Sequence, residues 1–482
     1  MTQSPSRSKV FGYAIGEGAV AVTMNGISNF ALLYYTQVLG LGAASAGLAL
    51  GIAMLWDAIT DPIMGHASDR TRSRFGRRHV YIVLGGVALA ITYFLLWQVP
   101  ALFATDNMIF VAVVGTNILI RTAVTVYGVP YMALGFEMCR DYVGQSRIQG
   151  ARAFVNQISN FVFGAMAWSL FFRDGTTPEG GRVDGTSVAA NYLVMGTSIA
   201  VAAIVMIGIC VYSTRHLAVD NRSSTGGGSR DSLGFWKDIS AIGRDHLVWL
   251  VFGFFAVAQF GMMVTAQAQM FTYVFFMELT ADEKTFVHGS GMLAFAGGAL
   301  LQGWLTRLYD KKTTGYIGMA VCVVSGVLLA VAFFSAGLLP RSELAFLGLD
   351  LPLGILVFTL GQSLWWGGAG ILAPLSVSMV ADISEINFLK TGVSKDGSYA
   401  AIFTFTLKAC MSVGLILVGW MVEASGIVAG ASGQTEEAVR SITLITFLFG
   451  PALVFVSFFI LRRYPVDRHF MAALTQNAIY RR

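Results

Sequence analysis

The sequence predicts an all-α membrane protein with 12 transmembrane helices in two six-helix halves. Its composition is the first reason: 55% of the 482 residues are hydrophobic and 12% are charged, whereas about a quarter of an average soluble protein is charged. The apolar runs are the second reason, because they have the length of helices and do not alternate as strands of a membrane barrel do. In hydrocarbon every backbone polar group must be paired internally, so such runs form helices.

Twelve segments satisfy the requirement of about 20 mostly apolar residues for a spanning helix. The first six are 11–38, 43–66, 80–100, 107–138, 150–173 and 188–212. The second six are 244–278, 282–308, 314–338, 353–381, 397–425 and 439–462. Several exceed the thickness of the bilayer core, so we expect them to tilt or to project into water.

A glycine- and serine-rich stretch separates the two sets of helices, and its composition is typical of flexible coil. It defines four units: an N-terminal half at 1–212, a cytoplasmic linker loop at 213–243, a C-terminal half at 244–462 and a cytoplasmic tail at 463–482. A weak internal repeat supports the division. GHASDRTRSRFGRRHVYI at 65–82 and GWLTRLYDKKTTGYI at 303–317 each join the second and third helices of a half. Two such repeats around a central site are a transporter architecture.

Lysine and arginine collect on one side of the predicted helices. Five arginines follow the second helix between positions 70 and 78, and two lysines follow the eighth helix at 311 and 312. The positive-inside rule therefore places both termini in the cytoplasm. The first apolar stretch lacks a small-residue cleavage site, so we interpret it as a retained helix and not as a signal peptide.

Asp57 and Asp61 are the most informative pair of charged residues in the predicted helices. A charge near the bilayer centre costs roughly 2.5 to 3.5 kcal/mol on insertion scales, so each one needs a reason. A spacing of four places both carboxylates on one helical face, where they repel each other unless a cation lies between them or one is protonated. The pair, with Thr60 beside it, favours a cation site. The alternative is a structural brace paired with Arg152 or Lys408.

Three other charged residues in the helices are candidates for solute contact or for bracing. Arg152 and Lys408 can neutralise acids on other helices or donate hydrogen bonds to a polar solute. Glu17 lies between two glycines, where a ligand or another helix can approach closely. Arg121 is expected to be structural.

Trp365 and Trp366 lie in a glycine-rich stretch of the tenth predicted helix. We expect Trp365 to supply an aromatic shelf for a sugar ring, although packing is the commoner role of such residues. Pro374 in the same helix favours a bend.

Other classes of function lack a pattern in this sequence. The six histidines are scattered in or near loops, and no nucleophile motif is present, so we expect no catalytic residues and no enzyme activity. The four cysteines have neither metal nor disulfide spacing. We expect no cofactor, no nucleic acid partner and no obligate protein partner. A channel is disfavoured because the repeated halves suit a carrier.

The segment WDAITDPIMGHASDRTRSRFGRR, Trp56–Arg78, resembles the glycoside-pentoside-hexuronide:cation symporter family, of the melibiose permease type, within the major facilitator superfamily. The resemblance continues in three blocks: YYTQVLGL at 34–41, VPYMALGFEMCRDY at 129–142 and MVADISE at 379–385. It implies a major facilitator-type fold. It also implies a sodium, proton or lithium site at Asp57 and Asp61, with Thr60 in place of the family's asparagine and Thr125 matching a hydroxyl ligand.

The same resemblance implies further roles. Arg152 matches a substrate-contacting arginine and Lys408 a lysine that links the cation and sugar sites. Gly18 and Gly128 stand where the melibiose type has two sugar-binding aspartates, and Met132 stands where it has a stacking tryptophan. The residues that look like the family's cytoplasmic gate are Asp69, Arg70, Glu137, Asp141 and Arg147.

We therefore expect a secondary active transporter that couples inward movement of Na⁺ or H⁺ to uptake of a glycoside, pentoside or hexuronide by alternating access. Its partners are a small solute, a monovalent cation and the lipid of a bacterial inner membrane. An anionic solute such as a glucuronide suits Arg152 and Lys408, which face few acids. The alternative is a cation-coupled carrier of a lysophospholipid or another amphiphile.

Overall fold

A computed structural model describes residues 6–71, 73, 75–138, 142–176, 182–220, 245–346, 349–391, 396–431, 433–467, 470–471, 473–474 and 476. The helices of the first half are α1 (Arg7–Leu33), α2 (Ala43–Arg70), α3 (His79–Leu96), α4 (Asp106–Met138), α5 (Tyr142–Phe171) and α6 (Ala189–Asp220). Those of the second half are α7 (His246–Phe271), α8 (Ala281–Leu308), α9 (Lys311–Ala330), α10 (Leu353–Thr391), α11 (Asp396–Ala424) and α12 (Glu436–Leu461).

Short elements complete this part of the chain. π-helical turns extend α1, α7 and α9 at Tyr34–Val38, Thr272–Phe276 and Val331–Ser335, and another interrupts α12 at Ile445–Phe449. Single 3₁₀ turns occupy Val99–Leu102 and Gly185–Ser187. Two antiparallel hairpins pair β1 (Gly175–Thr176) with β2 (Arg182–Val183) and β3 (Leu344–Phe346) with β4 (Leu349–Leu351).

Several helices are longer than their apolar stretches. α10 continues to Thr391 instead of ending at 381, and α5 begins at Tyr142 instead of 150. α6 runs to Asp220, through the start of the predicted linker, and residues 221–244 lie outside the described part. Hydropathy detects only the segment that crosses hydrocarbon, so polar ends that project into water are missed.

Nine helices of the described residues are long and apolar enough to cross a membrane: α2, α3, α4, α6, α7 and α9 to α12. The other three, α1, α5 and α8, have 27, 30 and 28 residues, more than the roughly 20 that a span requires. Their polar side chains lower their hydropathy. Some of these side chains line internal cavities, among them Asn25 of α1, Asn156 of α5 and His288 of α8.

The two halves meet at one end of the bundle. We call the end where α1 begins and α12 ends the termini face, and the opposite end the far face. At the far face α2 contacts α11 so closely that a Cβ on Gly419 would lie 2.4 Å from the carbonyl oxygen of Ala43 and 2.8 Å from the Cα of Gly47. α5 meets α8 there through the Ser169 and Thr285 hydroxyls, 2.6 Å apart.

The apolar cores follow the same division. One core runs through the N-terminal half and continues into the far ends of the C-terminal helices, at Phe271 and Phe447. A second core, which contains Phe252 and Phe403, lies within the C-terminal half nearer the termini face. Tyr464 belongs to the second core, so the start of the predicted tail packs on that half.

Equivalent ion pairs support the predicted internal repeat. In the first half Arg77 and Arg78, from the loop between α2 and α3, contact Glu137 at 2.6 and 3.1 Å near the end of α4. In the second half Lys311, at the start of α9, contacts Asp382 of α10 at 2.6 Å. Each half therefore pairs a base at the junction of its second and third helices with an acid on its fourth.

Candidate functional site

The acidic pair of α2 meets a hydroxyl from α4. Thr125 Oγ1 lies 2.9 Å from Asp57 Oδ1 and 2.9 Å from Asp61 Oδ1. A hydroxyl carries one proton, so it can donate to only one carboxylate at a time. Thr60 Oγ1 is 3.4 Å from Thr125 Oγ1. All four oxygen-bearing residues predicted for the cation site are therefore neighbours.

Two positive groups adjoin the same carboxylates. Lys408 Nζ of α11 lies 2.8 Å from Asp57 Oδ2 and also contacts Asp61 Oδ2. Arg121 Nη1 of α4 lies 3.7 Å from Asp57 Oδ2. Two acids face two bases, so the cluster has no net charge. This is the brace that the sequence left as the alternative, made by Lys408 and Arg121; Arg152 is paired elsewhere.

Exposure differs between the two acids. The Asp57 side chain is 4% exposed, whereas those of Asp61 and Lys408 are 28% and 21% exposed. Asp61 and Lys408 therefore form the accessible side of the cluster, and Asp57 forms its buried inner end.

Close packing of α2 on α11 and α4 brings these residues together. Ser412 Oγ, one turn beyond Lys408, donates to the carbonyl oxygen of Gly51 at 2.6 Å. Trp56 Nε1 donates to Thr122 Oγ1 at 2.9 Å. The glycines of α2 allow the approach of α11, which places the lysine on the acidic face of α2.

A second polar cluster joins α1 to α5. Arg152 donates to Glu17 Oε2 from Nε at 2.9 Å and from Nη2 at 2.7 Å. Asn156 Nδ2 lies 3.3 Å from Glu17 Oε1. Together with Gln149, these residues line a cavity of about 360 Å³. Glu17 and Arg152, both predicted to bind solute, are therefore neighbours on a cavity wall, paired with each other.

A ladder of amides continues from this cluster between the two helices. Asn160 Nδ2 donates to Asn156 Oδ1 at 2.8 Å, Asn25 Nδ2 to Asn160 Oδ1 at 3.2 Å, and Asn29 Nδ2 to Asn25 Oδ1 at 2.6 Å. These four asparagines also line a larger cavity, of about 450 Å³, between the two halves. The amide ladder thus links the two cavities.

The tryptophan at the larger cavity is Trp366. Its Nε1 donates to Gln269 Oε1 at 3.2 Å. Trp365 is 2% exposed and lies in the core of the C-terminal half. The rotation of α10 turns only Trp366 toward the cavity, whereas Trp365, predicted to supply the aromatic shelf, lies in the core.

The structure describes the side chains of two of the five predicted gate residues, Glu137 and Arg147. Glu137 pairs with Arg77 and Arg78 of its own half. Arg147 is exposed on the first turns of α5. The side chains of Asp69 and Arg70 and the whole of Asp141 lie outside the described residues.

The polar residues of the larger cavity were missed in the sequence. The sequence contains a signal for four of them, namely the same spacing of four that Asp57 and Asp61 have. Asn25 and Asn29 have that spacing in α1, and Asn156 and Asn160 have it in α5. Uncharged amides cost less in a membrane helix than charges do, so their presence in a helix is a weaker signal. The residues missed are Asn25, Asn29, Asn156, Asn160, Gln269 and His288.

Comparisons with known proteins agree over nearly the whole chain. A family model described as MFS/sugar transport protein matches residues 12–468. The inner membrane symporter YicJ of Escherichia coli is 23% identical, over 94% of this chain and 90% of that protein. The putative glycoside/cation symporter YagG of E. coli is 23% identical, over 96% and 92%. The isoprimeverose transporter of Lactiplantibacillus pentosus is 21% identical, over 96% and 89%.

A solved structure has the same fold. The inward-open xylose transporter XylE from E. coli aligns with a TM-score of 0.56 at 12% identity, covering 97% of this chain and 98% of that one. At that identity the likeness is one of fold.

Proposed function

This chain belongs to the MFS/sugar transport protein family, and we propose that it couples inward movement of a monovalent cation to uptake of a sugar-like solute. It is an integral membrane transporter and not an enzyme. Relatives that align over most of its length are named as a glycoside/cation symporter and an isoprimeverose transporter. Their names support both parts of the proposal, the coupled cation and the sugar.

The acidic pair and its tethered ammonium carry the proposal. Two carboxylates and two hydroxyls form an oxygen cluster of the kind that hard cations prefer. The ammonium of Lys408 contacts both acids, so an entering Na⁺, Li⁺ or H⁺ competes with it. Sodium would use Asp57 and Asp61 with the hydroxyls of Thr60 and Thr125, whereas a proton needs one carboxylate alone.

The exchange offers a mechanism for coupling. When a cation neutralises the acids, Lys408 is released, and the ion pair that ties α11 to α2 is lost. These helices belong to different halves, so their relative movement is the movement that alternating access requires. Coupling is reciprocal. If the bound cation raises the affinity for the solute by some factor, the bound solute raises the affinity for the cation by the same factor.

We further propose that the termini face is cytoplasmic and that the membrane is a bacterial inner membrane. Arg77, Arg78, Lys311 and Lys312 lie at this face, which agrees with the positive-inside rule. YicJ is named as an inner membrane symporter. In this orientation the halves meet on the outer side, as expected of a conformation closed to the outside.

Transport by the purified protein tests the proposal. We would reconstitute it in liposomes and measure uptake of isoprimeverose, other labelled glycosides, a glucuronide and a lysolipid, with and without a sodium or pH gradient. We expect gradient-dependent uptake of a sugar-like solute that is abolished in Asp57→Asn and Asp61→Asn. Asp106→Asn, an exposed acid at the start of α4, is the matched control.

Each other outcome has a defined meaning. Uptake of the lysolipid alone would replace the sugar carrier with the amphiphile carrier that the sequence left as the alternative. Gradient-independent uptake that survives both substitutions would refute the cation site.

A further inference from the structure

The side chains that line the larger cavity restrict the charge of a solute that can bind there. The cavity is lined from both halves by amides, one hydroxyl, one imidazole, one indole and apolar side chains. None of the lining residues that the structure describes bears a carboxylate, an ammonium or a guanidinium. A solute bound in this space therefore meets hydrogen-bonding groups without a full charge.

The wall from the C-terminal half contains buried polar atoms that lack partners. His288 is 6% exposed and Gln269 is 1% exposed. Among the described residues, neither ring nitrogen of His288 nor Nε2 of Gln269 has a hydrogen-bond partner. Buried polar groups are costly to leave unpaired, and in most proteins they are paired. His288 and Gln269 therefore bring to the wall of this cavity hydrogen-bonding capacity that no described residue uses.

The opposite wall offers complementary groups. Each amide of the ladder gives one N–H to the next residue and keeps a second N–H and further acceptor capacity. A solute hydroxyl both donates and accepts, which suits the amides of Asn25 and Asn160 and equally an imidazole with one donor and one acceptor nitrogen. Trp366 and Met292 add apolar surface for the C–H face of a ring.

The nearby cations are already paired. Arg152 is bound to Glu17. Lys408 is bound to the two acids of α2, and Arg121 lies beside Asp57. An anionic solute would bring a carboxylate into the larger cavity without a free counter-charge among the described residues there, and burying an unpaired charge is strongly unfavourable.

We propose that His288 and Gln269 form the solute-binding wall of the C-terminal half, and that the site selects an uncharged polyhydroxylated ring, a glycoside or pentoside, over the corresponding hexuronide. The inference rests on the proposed sugar transport and deepens it. The sequence left both uncharged and anionic solutes open. The pairing of Arg152 and Lys408 with acids now favours the uncharged ones.

Matched pairs of solutes test the selection. The reconstituted full-length protein would be given methyl glucoside and methyl glucuronide, methyl galactoside and methyl galacturonide, and isoprimeverose, under the gradient that drives uptake. The members of each pair differ in a hydroxymethyl group against a carboxylate. We expect uptake of at least one uncharged solute, with kcat/KM on the order of 100-fold above that of its acidic counterpart.

Substitutions test the binding wall. His288→Ala and Gln269→Ala each remove a hydrogen-bonding group, so the KM for the uncharged solute should rise by roughly three- to tenfold. The concentration of cation that gives half-maximal uptake, measured at saturating solute, should not change. His246→Ala, an exposed histidine at the start of α7, is the control. If His288→Ala does not fold, His288→Asn keeps a polar group and should show a smaller rise in KM.

The outcomes separate this inference from the function on which it rests. Uptake of a hexuronide equal to or better than that of its uncharged partner would overturn the selection and leave sugar transport intact. An unchanged KM in both alanine variants would remove His288 and Gln269 from the site. If no sugar in the panel is taken up under any gradient, the proposed function fails and the inference fails with it.

Discussion

Lys408 is the residue whose position most changes the interpretation of the acidic pair. Its ammonium lies where a coupling cation would neutralise the two carboxylates. Arg121 adds a second positive charge beside Asp57. In the proposed cation site, Lys408 and the ion would compete for the same oxygens, so a brace and a cation site would be two states of one cluster.

Removing this competitor should tighten cation binding. In Lys408→Gln the two acids are left with Arg121 alone, so the cluster has a net charge of −1 and attracts a cation more strongly. We expect sodium affinity to rise on the order of tenfold, while coupled solute uptake falls. Isothermal titration with Na⁺ at several pH values measures the affinity.

Lys408→Arg is the matched control for this substitution. It keeps the positive charge, so its cation affinity should stay much closer to that of the unchanged protein than the affinity of Lys408→Gln. A weaker cation affinity in Lys408→Gln would show that the lysine supports the bound ion and does not compete with it.

At the scale of helices, the contact between α2 and α11 depends on the absence of side chains. A Cβ on Gly419 would collide with the backbone of α2 at Ala43 and Gly47. Backbone atoms cannot rotate away as a side chain can, so the helices themselves must separate. This contact both closes the far face and holds Lys408 at the acids.

Gly419→Ala should therefore loosen the far face. We expect a larger population open at that face, and hence faster reaction of a cysteine at Asn156→Cys with an impermeant thiol reagent applied from the far side. Gly115→Ala controls for the effect of alanine on a helix, because a Cβ there meets nothing within 4 Å. Equal labelling rates in the two variants would show that the glycine contact does not control closure.

At the scale of the whole molecule, charged side chains also join the two halves at the far face. Arg182, before α6, donates to the carbonyl oxygens of Glu278 and Leu279 at 2.7 and 2.6 Å. Asp184 contacts Lys284, whose side chain is fully buried. Solvent screens the exposed Arg182 but not the buried Lys284, so the pair of Asp184 and Lys284 is expected to dominate this closure.

The closure should resist moderate acid. Burial raises the pKa of Asp184, but Lys284 and hydrogen bonds from Thr186 lower it more, so the net pKa lies below its usual 3.8. A carboxyl whose pKa is depressed in the closed form stabilises that form fully above its usual pKa, and the contribution is lost as the pH falls through the depressed value. We expect closure to persist at pH 5 and to weaken only below about pH 4.

Spin labels on Thr176→Cys and Leu339→Cys, exposed positions on the two halves, report this closure as an interlabel distance. Adding Asp184→Asn should widen the distance at every pH and remove the acid transition. A transition between pH 5 and 7, or one that persists in Asp184→Asn, would assign the closure to another group.

The sequence by itself determined the fold class, the approximate helices and the acidic pair. These depend on local properties: the length of apolar runs, the cost of a charge in hydrocarbon and a spacing of four on one helix. Membership of the sugar transport family, expected from the motifs around Asp57, is confirmed. The cation site and the gate stay predictions.

Tertiary structure decided which partners meet. Lys408 and Asp57 are 351 positions apart in the chain, and only the packing of α11 on α2 selects Lys408 over Arg152 as the base. The rotation of α10 selects Trp366 over Trp365 for the cavity. The amide ladder and the unpaired atoms of His288 and Gln269 arise where α1, α5, α7 and α8 converge. Such contacts depend on the distances and rotations of separate helices, which no local pattern along the chain encodes.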